Sequence, residues 1–522
     1  MKRLDFKSIE RLWPDGILFS FLLVLLFLIS LVCFCNIYPE GDVMEHIKAS
    51  FKVYSGQIPY KDFFEHHHPL LWYLMGRFVA LFEGKGNVVI YVVDYVTFLF
   101  FLIGVYYIYR IMKEFICGRT GALLSVLFIL CPGIMLFYIY FKPDNYMLTC
   151  ISAGLFYFFL YLRDHKRFDL VVSYFLFWLA FMFLQKALLF YPVLGAVSLY
   201  MLYKKEIAYK DFLVSVIAPV VLTVLFVSWI FQLGIWDIYW KSNFVFNTYM
   251  REYMGEQAVN RSWFLARVFF GIGVFSSVCL FVCMNKYFKI LSFVFLLSLV
   301  FNLFYFAPHV YYHYYAFYFA VPVAVAGILK IADSNKLLKI IVMLQSLVYV
   351  GYIVYYVAYD IRVGYIRQSK PYSILDRLQT NINKCDYVYF PSSYLYNKDL
   401  GYYWFLHGQL DVIGEKIGIK SIENINELIE NKKPKIILVK DIYERYENIR
   451  GNKVLVHEFD IDMIERFYDE VEIENNFKEL LNDEMFSSKF RDRGAIYILK
   501  QEYWKTNCKY NMKNKEWEYE EN

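Results

Sequence analysis

Apolar runs of about 20 residues recur along most of the chain, separated by short polar loops, and each has the length a helix needs to cross a bilayer. They fall at roughly Gly16–Tyr38, Val88–Ile111, Thr120–Tyr140, Tyr146–Leu162, Leu170–Phe183, Ala187–Tyr203, Phe212–Leu233, Phe264–Met284, Ile290–Phe306, Tyr314–Leu329 and Leu337–Val357. In lipid every backbone amide must be paired within its own segment, so such runs become helices. From about Asp360 the pattern changes. Short apolar stretches at Asp386–Phe390, Lys435–Val439 and Ala495–Leu499 read as strands in a polar background. Between the first two, Ile422, Ile425, Leu428 and Ile429 form a helical stripe, with Ser421 as the expected N-cap. The expected fold is an α-helical polytopic membrane protein of about eleven transmembrane helices. It occupies residues 1–359, with a first outer loop at 39–87, and is followed by a small extracytoplasmic α/β domain at 360–522.

Charge sets the orientation. With Lys2, Arg3, Lys7 and Arg11 in the cytoplasm, alternate loops carry Arg110/Lys113/Arg119, Arg163/Lys166/Arg167, Lys204/Lys205/Lys210, Lys286/Lys289 and Lys330/Lys336/Lys339, all inside. Outer loops hold Lys142 and Lys186 singly. This bias predicts a multi-pass protein of the cell membrane, with a cytoplasmic N-terminus and the tail outside. The first run is too long for a cleaved signal sequence and reads as a signal anchor.

Composition agrees: 59% of residues are hydrophobic, and Tyr (49) and Phe (51) are abundant, as suits membrane interfaces. The net charge of +5 is spread over many short loops, which excludes a nucleic-acid-binding reading. The nine cysteines have no metal-type spacing. Cys385 and Cys508 alone lie in the polar tail, where two free thiols are expected rather than a disulfide.

Candidate chemistry gathers in the outer loops. Met44, Ile47, Phe51 and Tyr54 form one apolar stripe, so this segment can lie as a helix on the membrane surface. Asp42, Glu45 and His46 share neighbouring turns. A carboxylate pair three residues apart can leave one member as a base; the alternative is a solvated polar face. Gly56-Gln-Ile-Pro-Tyr-Lys-Asp62 leads into His66, His67 and His68. Imidazole suits zinc, but His66 and His68 would diverge on a helix, so no metal and no cofactor is expected from the run. Interface anchoring or acceptor binding is the expected role of His46, Asp62, His66 and His68. Lys142-Pro-Asp144-Asn145 reads as a turn, with Asp144 either facing Asp42 across a cavity or serving the turn alone. A phosphate leaving group needs cationic donors, for which Lys142, Lys186, Arg251, Arg261, His309 and His313 are available on the outer side; each can equally be an interface anchor.

The order of Asp42, Gly56-x-x-Pro59-Tyr60-x-Asp62-Phe63 and His68-Pro69-Leu70 resembles the integral-membrane GT-C glycosyltransferases. It is similar to the group of dolichyl-phosphate-mannose protein mannosyltransferases and aminoarabinose transferases. Lys142-Pro143-Asp144, Gln185-Lys186 and His309–Tyr315 are similar to that group as well. The resemblance implies a GT-C-like fold and inverting transfer from a polyprenyl-phosphate sugar to a lipid, glycan or protein acceptor, with Asp42 as base. Many members carry Asp-Glu in tandem; here Val43 follows Asp42, and Glu45 is the next acid.

The competing expectation is a transporter or lipid flippase. Such a protein places ionisable residues at mid-membrane, often on broken helices. Here they cluster at the outer lips of nearly charge-free spans.

Overall fold

The computed structural model describes residues 41–130, 140–249 and 264–333 apart from short gaps, and discontinuous segments between 382 and 519. Gly16–Tyr38 and nearly all of Leu337–Val357 lie outside the described residues.

Most apolar runs become helices close to their expected bounds: Val88–Ile111, Pro143–Asp164, Arg167–Phe183, Tyr191–Tyr203, Tyr209–Gln232, Phe264–Leu280, Lys286–Tyr305 and Tyr314–Asp333. The run expected at Thr120–Tyr140 gives helix Gly118–Ile129, which Leu130 caps, and 131–139 lie outside the described residues. Among the described residues three are long and apolar enough to cross a membrane: Val88–Ile116, Pro143–Asp164 and Tyr209–Gln232. Leu70–Ala80, Gly118–Ile129, Tyr191–Tyr203, Phe270–Leu280 and Tyr318–Lys330 are shorter apolar stretches. The architecture is therefore mostly helical.

Residues divide into two compact units. The first contains 1–37, 94–229 and 256–365; the second contains 38–93, 230–255 and 366–522. In the first unit small residues let helices approach closely, as in membrane bundles. A Cβ on Gly154 would lie 2.5 Å from the Phe177 ring, and one on Gly104 2.6 Å from the Tyr318 hydroxyl. Ser173 Oγ donates to the Gly154 carbonyl at 2.8 Å.

The charged loops expected on one side meet at one end of this unit. Arg163 Nη1 pairs with Glu114 at 3.0 Å, and Arg167 Nε pairs with Asp211 at 2.6 Å. Lys286 pairs with Glu206, and Asn285 Nδ2 donates to the Phe115 carbonyl at 2.7 Å. Four loops read separately from their Lys and Arg residues thus interlock.

In the second unit the tail carries a four-stranded sheet. Strands β1 (Val388–Tyr389), β2 (Ile436–Val439), β5 (Tyr468–Glu470) and β6 (Ala495–Leu499) are ordered β1-β2-β6-β5. β1 and β2 are parallel, and the other pairs are antiparallel. Hairpin β3 (Arg445–Ile449)–β4 (Asn452–His457) is inserted between β2 and β5 in sequence, and hairpin β7 (Cys508–Asn511)–β8 (Glu516–Tyr519) follows β6. The expected strand–helix–strand order holds, because a parallel pair needs a crossover. The helix starts later than expected, at Ile425. Its cap is Asn424, whose side chain accepts from Asn426 N at 2.9 Å, and not Ser421. Ile429, Ile437, Ile464 and Leu499 meet in the core beneath the sheet.

One expectation is overturned. Cys385 and Cys508 are joined as a disulfide across 123 residues of sequence. Spacing could not show this, because the two positions are brought together by the fold and not by any local pattern.

Candidate active site

Helix Gly41–Tyr54 begins with Asp42 in its first turn and has Lys52 in its last, each charge placed to favour the helix dipole. The chain then turns at Gly56, whose φ of +91° suits glycine. Met44 and Ile47 are buried within the protein and Tyr54 is 53% exposed, so the first half of the stripe expected on the membrane surface is covered by protein instead. The opposite face is buried too: Glu45 is 6% exposed, His46 1% and Lys48 4%. The reading as a solvated polar face is therefore corrected. Protein packs on both sides because Leu70–Ala80 lies against this helix.

Two contacts fix that packing. Trp72 Nε1 donates to His46 Nδ1 at 3.2 Å. A Cβ on Gly76 would lie 2.8 Å from the Ser50 carbonyl oxygen, a backbone atom that cannot swing aside. Gly76→Ala should therefore push the helices apart and cost about 1–3 kcal/mol. Thermal unfolding in detergent checks this, and an unchanged midpoint would refute the close approach.

The stretch after Gly56 is a compact loop, not a helix. Asp62 Oδ2 accepts from Ile58 N at 2.6 Å, so Asp62 is exposed and closes a turn. Tyr60 takes a left-handed φ of 67°, and its N donates to the Phe63 carbonyl at 2.9 Å. Its hydroxyl donates to the His67 carbonyl, which clamps the histidine run. Tyr402, from the tail, donates to the Tyr60 carbonyl at 2.7 Å and accepts from Phe64 N at 2.9 Å. The loop after the seventh expected span joins in. Tyr239 Oη pairs with His68 Nε2 at 2.9 Å, and Asn247 Nδ2 donates to the His66 carbonyl at 2.8 Å. Lys241 Nζ reaches the Gly418 carbonyl in the tail at 3.1 Å.

The histidine run is not helical, so the argument that set His66 and His68 on diverging faces of a helix does not apply to it. His67 Nδ1 lies 3.3 Å from Glu45 Oε1 and 3.6 Å from Glu65 Oε2. His66 Nδ1 lies 3.8 Å from Glu45 Oε1. Glu65 is fully buried, and burial pushes its carboxyl well above the usual carboxylate range. The His66 amide, a hydrogen bond with Glu45 and the charge of Lys52 pull the other way. Burial, with Tyr239 beside it, likewise raises the Tyr60 hydroxyl. Sequence reasoning missed Glu65 and His67. Their only signal was an acid directly preceding three histidines.

Within the first unit the structure brings Asp144 and Lys186 together: Lys186 Nζ donates to Asp144 Oδ1 at 3.2 Å. The turn read at Lys142–Asn145 is instead the first turn of helix Pro143–Asp164. Pro143 sits where no amide partner is lost, and Asp144 sits where the dipole favours an acid. The approach to this turn is held by Asp94 Oδ1, which accepts from Phe141 N at 2.6 Å. Lys142 is buried, with its Nζ 5.7 Å from the centre of the Tyr140 ring. Lys186 lies on the tight turn Gln185–Leu189. Arg251, Arg261, His309 and His313 lie outside the described residues.

Comparison with known proteins bears on this arrangement. Residues 66–231 match the family profile described as dolichyl-phosphate-mannose-protein mannosyltransferase. The match includes Asp144 and Lys186 and begins after Asp42 and Glu45. No curated protein matches the sequence. Among solved structures, ArnT from Cupriavidus metallidurans bound to undecaprenyl phosphate superposes with a TM-score of 0.53 at 12% identity, covering 82% of this chain and 93% of that one. The archaeal oligosaccharyltransferase AglB from Archaeoglobus fulgidus, in complex with an inhibitory peptide and a dolichol-phosphate, gives 0.43 at 9% identity over 81% of this chain and 70% of that one. The chain is thus similar to the dolichyl-phosphate-mannose-protein mannosyltransferases over residues 66–231 and shares its fold with ArnT.

Proposed function

We propose that the protein transfers a sugar from a polyprenyl-phosphate donor to a lipid, glycan or protein acceptor at the outer face of the cell membrane, with inversion at the anomeric carbon. The observation that carries this reading is the Asp144–Lys186 pair, set inside the segment that matches the mannosyltransferase family. It combines an acid and a cation at the heads of apolar helices, as a phosphate-bearing lipid requires.

Asp42 acts as the general base. It sits in the first turn of its helix, half-buried, whereas Glu45 is held deeper among His66 and His67. The Asp42 carboxylate takes the proton of the acceptor hydroxyl. The oxygen forms a bond to the anomeric carbon, and the bond from that carbon to the phosphate oxygen breaks. Polyprenyl phosphate leaves as an anion that needs cationic stabilisation and no general acid. Lys186 supplies a cation, with Lys142, Arg251, Arg261, His309 and His313 as further donors. His46, Asp62, His66 and His68 shape the acceptor side.

The tail from residue 360 stands outside the cytoplasm in this reading. The Cys385–Cys508 bond supports that side, since disulfides persist in oxidising compartments. A location outside also favours a lipid-borne sugar, because nucleotide sugars are made in the cytoplasm. The transporter reading has less support, since the described ionisable pairs lie at helix ends.

A transfer assay decides. Purified protein receives radiolabelled sugar either on polyprenyl phosphate or on a nucleotide, with membrane lipid and glycan extracts as acceptors. Incorporation should come from the lipid donor alone. Incorporation from the nucleotide sugar without a lipid intermediate would overturn the reading, and failure with both donors would favour the transporter.

A further inference from the structure

Two acids and two histidines from separate stretches of chain converge beneath the first outer loop. Glu45 comes from helix Gly41–Tyr54, and Glu65, His66 and His67 come from the loop. One ligand atom from each lies within 4.8 Å of the others. We propose that these four residues bind one divalent metal ion of the zinc class, which clamps the loop to the helix.

Distance is the first argument. The three nitrogen–oxygen separations are 3.3, 3.6 and 3.8 Å, and the two longer ones exceed a hydrogen bond. Bonds of about 2.0–2.2 Å in a tetrahedral zinc shell hold ligand atoms about 3.4 Å apart. The side chains therefore stand at the spacing of a coordination shell.

Burial is the second. Glu65 is 0% exposed, and its Oε1 accepts no hydrogen bond among the described residues. A buried carboxylate oxygen without compensation is costly. Glu45 is nearly as buried, so the cluster sets two acids in one dry place. A divalent cation beside Glu45 Oε1 and Glu65 Oε2 offsets the charge of both acids.

Ligand chemistry is the third. Two imidazoles with two carboxylates suit zinc, whereas calcium and magnesium take oxygen shells. The ligands are themselves oriented, as metal ligands usually are. His66 N donates to Glu65 Oε2 at 3.1 Å, Asn247 holds the His66 carbonyl, and Tyr60 holds the His67 carbonyl. The rival arrangement has no metal, and Lys52 with protonated histidines balances the acids.

The test uses the full chain with a histidine-free affinity tag, purified in detergent. It is stripped with chelator, loaded with Zn²⁺ or Co²⁺, and desalted. Elemental analysis should find one metal per chain, and the cobalt form should show the visible bands of tetrahedral Co²⁺. Glu65→Gln and His67→Ala should lose both signals while eluting as monodisperse protein. Should either variant misfold, hydrogen exchange on the unaltered chain answers the same question: amides of residues 58–68 should lose protection on chelation and regain it with Zn²⁺. Substoichiometric metal, unchanged metal in both variants, or protection indifferent to chelation would overturn the site and leave the Lys52–histidine arrangement. None of these readouts depends on the transfer reaction.

Discussion

Asp42→Asn should lower sugar transfer by about two to four orders of magnitude, the usual worth of a positioned general base. The substitution keeps the side chain's shape and removes its ability to take a proton. Its effect on folding should be small. Asp42 lies in the first turn of helix Gly41–Tyr54, where losing the charge costs about 0.3–1 kcal/mol of dipole interaction. Activity and stability should therefore separate: turnover collapses while the melting temperature in detergent barely moves. The loss should appear in kcat, because the acceptor can still bind. Near-normal turnover in well-folded Asp42→Asn protein would remove Asp42 from the reaction and shift the search to another acid. Glu45→Gln is the informative partner variant. Glu45 is packed against His66 and His67, so its loss should lower stability as well as activity.

The second large effect is expected at Lys186. Lys186→Met keeps the length and apolar stem but deletes the charge that Asp144 holds at 3.2 Å. Removing a preorganised donor to a developing anion costs about 10²–10³ in rate, and the same range is expected in kcat/KM here. The variant also leaves Asp144, which is buried, without its Lys186 bond. A lost hydrogen bond to a charged group adds roughly 1.5–3 kcal/mol of destabilisation. Asp144→Asn combined with Lys186→Met separates the two contributions. If the pair works as a unit, the double variant should be no slower than the worse single variant, because coupled residues are not additive. Full additivity would mean that Asp144 and Lys186 act independently, and parental rates in Lys186→Met would exclude the lysine from leaving-group stabilisation.

Both residues were visible in the sequence, but their partnership was not. They are 42 positions apart, and nothing in either loop points to the other. The same holds for Glu114 with Arg163, and for Cys385 with Cys508. Charge bias assigns a loop to a side of the membrane, because it reflects how chains insert. It does not say which side chains touch. The disulfide shows this most clearly: free thiols were expected at Cys385 and Cys508, and the bonded pair is separated by 123 residues of sequence.

The helical part was readable because lipid leaves the backbone one economical choice, so length and apolarity suffice to place a span. Most described helix bounds from Val88 to Asp333 lie near those expected, the exception being Gly118–Ile129 where Thr120–Tyr140 was expected. The strand–helix–strand order of the tail was readable from its apolar runs, whereas the parallel pairing of β1 and β2 came from the structure. What failed was local. Ser421 looked like a cap and Lys142–Asn145 like a turn, yet Asn424 caps the tail helix and Pro143 opens a long one. Ser, Asn, Asp and Pro serve both turns and helix starts, so residue type alone cannot separate the two.

The amino-acid sequence alone determined that the chain is mostly helical with recurring apolar runs, and that acids and histidines gather between Gly41 and Leu70. Only the tertiary structure decided what surrounds them. Met44 and Ile47 announce a buried face by period, but Glu45, His46 and Lys48 are buried because Leu70–Ala80 and the loop close over them. The histidines were assigned to diverging faces of a helix that does not form. In the loop, clamped by Tyr60, Asn247 and Tyr402, His66 and His67 instead meet Glu45 and Glu65. Period and composition record what each segment buries. The cluster forms from residues about 20 positions apart, and its spacing depends on long-range contacts that no local pattern encodes.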